Sequence, residues 1–524
     1  MAEQQIFDAV ATPFTKGVNL VEASAGTGKT YAIAMLVLRA LVELQVTIDQ
    51  VLVVTFTVAT TEELKERIRA RISCARDILR GLNKVDDQVL RDWAATIDQP
   101  DRTIELLNLA LIDIDRIAIH TIHGFCQRML TDQALESGQL YDTELVDDTG
   151  KVTSQLVQDF WRSRLYAMDI RYCQLVTSCY SSPEELYRSV AGAESLLAKL
   201  VPEDVSFTLA CSELETVFET MRMWWSNHGN ILQTHIEPAI AKGYFRKDFA
   251  LHYPRWLETL ENSFTLHLPP HPESLQWLQK EQLLVNLNGN KLRGMEKKQA
   301  FVADWPLPNL QLEGYLVAVE GLMNALRVEL AMFLRENLNK VLNEQTKMSF
   351  DGLVTEMAAA VTGRNGDTLC RQIGSRYRIV LIDEFQDTDS AQWQIFSTIF
   401  SAGGHFLYLI GDPKQAIYRF RGADIFSYFA ARDRADYHLT LTRNYRSHPG
   451  LLSGLNRLFG QASIADQPYR PVEAAKSRED GRLMVKDEEL PALVYCQLAA
   501  CSESHPRWSS GAANDAICQW VIAE

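Results

Sequence analysis

Two short stretches of this sequence carry the residue types of phosphate chemistry. Ala23, Ser24, Ala25, Gly26, Thr27, Gly28, Lys29 and Thr30 follow an apolar run, Val18 to Glu22, and open a helical pattern. A loop of small residues at a strand-to-helix turn lets backbone N–H groups and the helix N-terminus surround phosphate oxygens. Lys29 is placed to reach the β- and γ-phosphates of a nucleoside triphosphate, and Thr30 to ligate Mg²⁺. Ala23 stands where the usual pattern has its first glycine, a departure of one methyl group. Far downstream, Ile379-Val-Leu-Ile-Asp383-Glu384 ends another apolar run in an acidic pair. Asp383 would hold the metal and Glu384 would be the general base for in-line attack of water on the γ-phosphate. A helix N-terminus also attracts acidic residues; the pairing with the upstream loop is what points to NTP hydrolysis.

The elements that must position these residues alternate. Val18 to Glu22 precedes a helical pattern over Thr30 to Leu44, and Val51 to Phe56 precedes one over Thr60 to Leu79. Arg378 to Ile382 is followed by Ala391 to Ile399, and His405 to Ile410 by a further helical stretch. This alternation predicts a doubly wound α/β fold on a parallel sheet, with ligands at the carboxyl ends of its strands. Between about 145 and 345 the pattern turns Leu-, Glu- and Trp-rich with helical spacing, as in Ser154 to Tyr166 and Tyr315 to Val341, and predicts a mainly helical insertion. Leu268 to Pro272 reads as a loop or turn, and Asn286 to Gln299 as an exposed excursion.

A chain of 524 residues with 47% hydrophobic and 23% charged residues has room for roughly two to four domains. The net charge of -15 speaks against a uniformly basic nucleic-acid surface. A local track is still available: Lys414, Arg419, Arg421, Arg432, Arg434, Arg443 and Arg446 outnumber Asp424, Asp433 and Asp436 between Pro413 and Ser447. Nine cysteines, odd in number and without a CxxC pair, suggest neither a disulfide framework nor a zinc site. The N-terminus has no basic-then-apolar leader, and no run approaches the roughly 18 apolar residues of a membrane span, so a cytoplasmic location is expected.

Read together with their surroundings, these motifs resemble superfamily 1 helicases of the UvrD and RecB kind. Asp383-Glu-Phe-Gln-Asp-Thr388 is similar to the DExxQD motif of that family, Gly411 to Asp424 to motif III, and Asn444-Tyr-Arg-Ser447 to motif IV. Thr55-Phe-Thr57 resembles motif Ia and His120-Thr-Ile-His-Gly-Phe-Cys126 resembles motif Ib. Within the superfamily the wording is closest to RecB-type exodeoxyribonuclease V beta subunits, densely over about 1 to 140 and 345 to 455.

The resemblance implies a RecA-like P-loop NTPase domain over 1–144 and 346–436, a mainly helical insertion over 145–345, and the beginning of a second RecA-like domain over 437–524. It implies that Gln415 senses the γ-phosphate, that Arg446 stabilises transition-state charge there, and that Tyr445 stacks on adenine. Phe56, Tyr418 and Phe420 become base-stacking candidates on single-stranded DNA. Thr57, Thr121, His123 and Arg421 are expected near the strand or its coupling to the nucleotide. The place of an adenine-reading glutamine holds Ile6, with Gln5 one residue off. Nothing after Ser447 resembles motifs V and VI, so the chain is expected to be a fragment whose nuclease domain would lie downstream.

In the family the insertion meets duplex DNA ahead of the fork. Here Tyr244-Phe-Arg-Lys-Asp-Phe249 and Tyr253-Pro-Arg-Trp256 interleave aromatic and basic residues, while Lys291, Arg293, Lys297 and Lys298 crowd one stretch. These either contact phosphates or form a solvated basic face whose aromatics turn to the core. The function implied is an ATP- and Mg²⁺-dependent, 3′-to-5′ DNA helicase core acting in double-strand-break repair with RecC-like and RecD-like subunits. The alternatives are a UvrD- or AddA-like motor of another repair or defence system, and an ATP- and DNA-binding fragment without turnover.

Overall fold

The computed structural model describes residues 5–82, 87–133, 144–146, 148–193, 195, 199–202, 205–401, 404–417, 424–464, 467–477, 484–485, 488–489, 493 and 508–523. The chain forms two compact units, Met1–Phe125 with Val361–Glu524, and Cys126–Ala360.

The strands in chain order begin with β1 (Gln5–Ile6), β2 (Gly17–Ala23), β3 (Val51–Thr55), β4 (Ala118–Thr121), β5 (Glu144–Val146) and β6 (Lys347–Ser349). They continue with β7 (Ile379–Ile382), β8 (Phe406–Gly411), β9 (Tyr437–Leu441) and β10 (Arg443–Asn444). The first unit is built on a seven-stranded sheet of order β1-β9-β2-β8-β7-β3-β4, every neighbouring pair parallel. Strands covered on both faces are expected to be continuously apolar, and β3, β7 and β8 are buried at every residue. Because all seven run the same way, the segments after β2, β7, β8, β3 and β4 leave along one carboxyl edge. The strand Tyr437–Leu441, which lies at the limit expected for a second domain, pairs with β2 in this sheet.

Helix α1 (Lys29–Glu43) starts directly after Gly28 and buries ten consecutive residues, Ala32 to Leu41, so it is apolar on all sides. Arg39 is tolerated there because its guanidinium donates to the Ala9 and Thr12 carbonyls and pairs with Glu43. Helix α2 (Val58–Leu79) is instead one-sided, burying Thr61, Leu64, Ile68, Ile72 and Ala75 at helical spacing.

Among its described residues the second unit is mainly helical, with the parallel pair β5 and β6 and an isolated bridge between Phe245 and Leu287. Its long helices Phe207–Ala241 and Asn309–Glu344 pack around Leu214, Phe218, Leu232, Leu322 and Leu326. Phe245, Phe249 and Tyr253 turn into this core while Arg246, Lys247 and Arg255 face solvent, which is the solvated-face arrangement. The stretch 286–299 is mostly exposed, as expected, and is fastened at a few points. Leu287 is fully buried, Lys291 lies over the Tyr244 ring, Lys298 donates to the Leu284 carbonyl, and Met295–Phe301 is a helix.

Seven cysteines lie among the described residues, and all are free thiols. No helix among those residues is long and apolar enough to cross a membrane.

Tyr315, fully buried on Asn309–Glu344, donates its hydroxyl hydrogen to the Pro270 carbonyl. Tyr315→Phe leaves that buried acceptor unmatched and is expected to cost about 1–3 kcal/mol, whereas Tyr315→Ala also empties the ring site and costs about 3–5 kcal/mol. Denaturant unfolding checks both, and a Tyr315→Phe stability equal to the parent's would remove the hydrogen bond from the account.

Candidate nucleotide and DNA site

The phosphate loop takes its shape from two glycines. Gly26 has φ +76° and Gly28 φ +90°, in the left-handed region where a Cβ is strained. Between them Thr27 folds back, its N–H and hydroxyl both donating to the Ser24 carbonyl at 3.1 and 2.7 Å. Backbone of alternating hand turns successive N–H groups into one concavity. No side chain caps the start of α1, leaving its first N–H groups to an anion. Ala23 is the last residue of β2 and buried, so its methyl group sits in strand backbone that never needs glycine. Lys29 opens α1, and Thr30 follows it.

Asp383 and Glu384 emerge at the end of β7, two strands from β2 in the sheet. Asp383 is tied to β3 by its N–H, which donates to the Val54 carbonyl at 2.8 Å. Glu384 adopts φ +51°, a left-handed conformation that costs a non-glycine residue energy and is found where function over-determines the backbone. Its carboxylate forms an ion pair with Lys29. The loop lysine and the expected general base are therefore in direct contact.

Sequence reasoning missed the residue that ties this acidic turn to the next strand. The buried Gln386 amide donates to Glu384 at 2.9 Å and to Asp387 at 3.1 Å, and its oxygen accepts from the Asp412 N–H at 2.9 Å. Asp412 in turn accepts from the Gln415 amide at 2.8 Å. A line of hydrogen bonds thus runs from Glu384 to Gln415 across β7 and β8. The signal was present as the Gln-Asp of Asp383-Glu-Phe-Gln-Asp387. Lys414, counted in the basic track, is occupied by Asp412 at 3.0 Å and Glu22 at 3.8 Å.

A model of the UvrD/REP helicase N-terminal domain matches residues 2–436. The chain belongs to this helicase family. It is similar to the RecBCD enzyme subunit RecB of Escherichia coli strain K12, 32% identical over 507 residues, 91% of this chain and 41% of that protein. The RecB subunit of Haemophilus influenzae is 32% identical over 502 residues, covering 88% and 41%. That of Chlamydia trachomatis serovar D is 29% identical over 498 residues, covering 91% and 46%. The chain spans about two fifths of the length of the first two relatives.

The other site residues expected from the sequence fall into three groups. Tyr445 and Arg446 are exposed beside the phosphate loop, with the Tyr445 N–H donating to the Gly26 carbonyl at 2.8 Å. Tyr31, half-buried immediately after the loop, was not singled out from sequence although it is the next residue after Thr30. Its phenol is pushed up by burial, with Tyr445 among the groups close enough to act on it. Arg71 lies 4.3 Å over its ring, and a cavity of about 220 Å³ opens beside Thr30, Tyr31, Arg71 and Asp87.

The second group follows β3 and β4, whose last residues Thr55 and Thr121 are register partners. Phe56 and His123, both half-buried, therefore follow neighbouring strand ends. The Thr57 hydroxyl accepts from the Thr60 N–H at 3.2 Å, capping α2, and the Thr121 hydroxyl accepts from the Gly124 N–H at 3.0 Å. Both threonines hold helix starts. The third group, Tyr418, Phe420 and Arg421, lies outside the described residues.

The acidic turn fits a bound magnesium ion. Asp383 is buried and its Oδ1 has no hydrogen-bond partner, as is also true of Thr55 Oγ1 and Asp387 Oδ1. Burial, followed by the charge of Glu384, pushes the Asp383 carboxyl up to about 7 and that of Asp387 up to about 6. A dication would favour the charged forms that burial opposes.

The pH dependence follows from those shifts. An unfolded aspartate titrates near pH 3.9, so the folded chain holds protons that the unfolded chain has released. Stability from these groups is present at low pH and is lost as pH rises from about 4 to about 7. Asp383→Asn is therefore expected to raise the melting temperature of the nucleotide-free protein at pH 8 and leave it nearly unchanged at pH 4.5. Calorimetry at the two pH values checks this, and an equal shift at both would contradict it.

Proposed function

We propose that the chain is the ATP-binding and strand-tracking core of a RecB-type DNA helicase, moving 3′ to 5′ in double-strand-break processing beside RecC-like and RecD-like subunits. The Lys29–Glu384 contact carries the nucleotide reading, because it puts a phosphate-binding lysine on the carboxylate that would activate water. Similarity to RecB subunits supports the assignment to repair. Within this proposal 1–144 and 346–436 make the first RecA-like domain, with the strand Tyr437–Leu441 joined to its sheet, 145–345 is the insertion, and the chain after Leu441, not after 436, begins the second.

The N–H groups of Gly26, Gly28, Lys29 and Thr30 receive the phosphates, while that of Thr27 stays on the Ser24 carbonyl, and Lys29 leaves Glu384 for their charge. Thr30 and Asp383 would hold Mg²⁺, which neutralises charge developing on the phosphate oxygens. Glu384, released from Lys29, accepts the proton of the attacking water. Gln415, whose amide donates to Asp412, would sense the γ-phosphate, and Arg446 would add positive charge there. Tyr445, exposed beside the loop, offers its ring to adenine, and Tyr31 offers a second. Phe56, Thr57, Thr121 and His123 would meet the single strand along the carboxyl edge, with Tyr418, Phe420 and Arg421 completing the track. Alternation between open and closed nucleotide states would hand stacked bases along in steps.

Three measurements test this reading. Lys29→Ala weakens ATP binding. Glu384→Gln binds ATP more tightly than the parent, since Lys29 loses a competing partner, while DNA-stimulated hydrolysis falls by about 10²–10⁴. ATP affinity unchanged in both variants would sink the phosphate-loop reading. Replacing Tyr418 or Phe420 by Ala is expected to weaken single-strand binding by about 1–3 kcal/mol per lost stack; unchanged affinity in a fluorescence titration would assign those rings to packing.

A further inference from the structure

The carbonyl side of the phosphate loop is held as closely as its N–H side is left open. A loop that turns its N–H groups toward an anion turns its carbonyls the other way, and these need donors of their own. Two of them are supplied by one short segment. The Asn444 side-chain amide donates to the Ala25 carbonyl at 2.7 Å, and the N–H of Tyr445 donates to the Gly26 carbonyl at 2.8 Å.

The other end of the same side chain faces the opposite way along its own chain. Asn444 Oδ1 accepts from the N–H of Arg446 at 2.9 Å and of Ser447 at 2.8 Å, closing an Asx turn that fixes where the Arg446 side chain starts. Asn444 is 4% exposed, and its backbone is pinned by the Ala475 N–H, which donates to its carbonyl at 2.8 Å. The fit is tight on the loop side too. A Cβ at Gly26 would come within 2.7 Å of Arg446 Cβ and 2.9 Å of Asn444 Nδ2.

We infer that Asn444 is a positioning residue of the nucleotide site, acting through two separate arms. Its amide hydrogens hold the phosphate loop in its anion-binding shape, which serves any nucleotide with a β-phosphate. Its oxygen holds the turn that aims Arg446, which serves only a nucleotide with a γ-phosphate. The second arm rests on the proposed role of Arg446; the first does not.

The test measures the affinity of the full chain, with Mg²⁺, for fluorescent ADP and for a fluorescent non-hydrolysable ATP analogue. Asn444→Ala and Arg446→Ala are compared singly and together. Asn444→Ala is expected to weaken ADP binding on the order of tenfold, the equivalent of one lost hydrogen bond at the site. It should also lower the preference for the ATP analogue to the level of Arg446→Ala. In the Arg446→Ala background it should still weaken ADP binding but leave that preference where it is. A residue that merely supports the fold would weaken both ligands alike and leave the preference at the parent's value in the single variant.

Asn444→Asp separates the arms further and serves if the alanine variant does not fold. It keeps the acceptor for the turn and loses the donor to Ala25, so ADP binding falls while the preference for the ATP analogue is retained. Parental ADP affinity in Asn444→Ala, or in Asn444→Asp if only that variant folds, would overturn the inference. If Arg446→Ala alone leaves the preference unchanged, the proposed role of Arg446 fails, and Asn444 is then judged on ADP affinity alone.

Discussion

The constraint on which the nucleotide site depends is the crowding of like charge at the end of one buried strand. Asp383, Glu384 and Asp387 fall within five residues, and the apolar surroundings of β7 and β8 make ionised carboxylates expensive. Lys29 and the Gln386 amide answer part of that cost from opposite sides, one with a charge from the neighbouring loop and one with two N–H groups. The remainder shows as raised aspartate pKa values and buried oxygens without partners. A site left short of positive charge in this way favours a cation by its electrostatics. Its stability in the absence of ligand is lower for the same reason.

The sheet makes this crowding possible. Strand order puts the phosphate-loop strand β2 beside β8, and β8 beside β7, so three segments distant in sequence share one edge. Parallel pairing sends all of them out in the same direction. The register is part of the device. Glu22 stands opposite Gly411, where a Cβ would come within 2.8 Å of Gln386 Oε1. Glycine at 411 is what lets the Gln386 side chain lie across the strand end and reach Asp412.

Much of this was legible in the sequence because the signals were local. Val18 to Glu22 and Val51 to Phe56 were readable as strands from short, mainly apolar runs that each precede a helical pattern, and they lie within one or two residues of β2 and β3. Ala23-to-Thr30 and Asp383-Glu384 were readable because phosphate and metal chemistry restrict residue type at fixed spacing. What escaped were relations set by three-dimensional pairing. Nothing in the spacing of Gln386 and Asp412 announces a hydrogen bond between adjacent strands. The segment 286–299 looked like an excursion because its polar residues outnumber Leu287, yet one buried leucine and two lysines reaching backbone and ring are enough to fasten it. Tyr418, Phe420 and Arg421 remain readings of sequence alone.

Thr57 and Thr121 were singled out for proximity to DNA, and the structure gives each a second occupation at the start of a helix. This changes how genetics at the carboxyl edge must be read. Alanine at either position would strip a cap and loosen the helix that carries the neighbouring contact residues, so weak DNA binding could arise without any lost contact. Serine retains the capping oxygen and removes only a methyl group. At these two positions the serine variant, and not the alanine, isolates what the side chain offers to a strand.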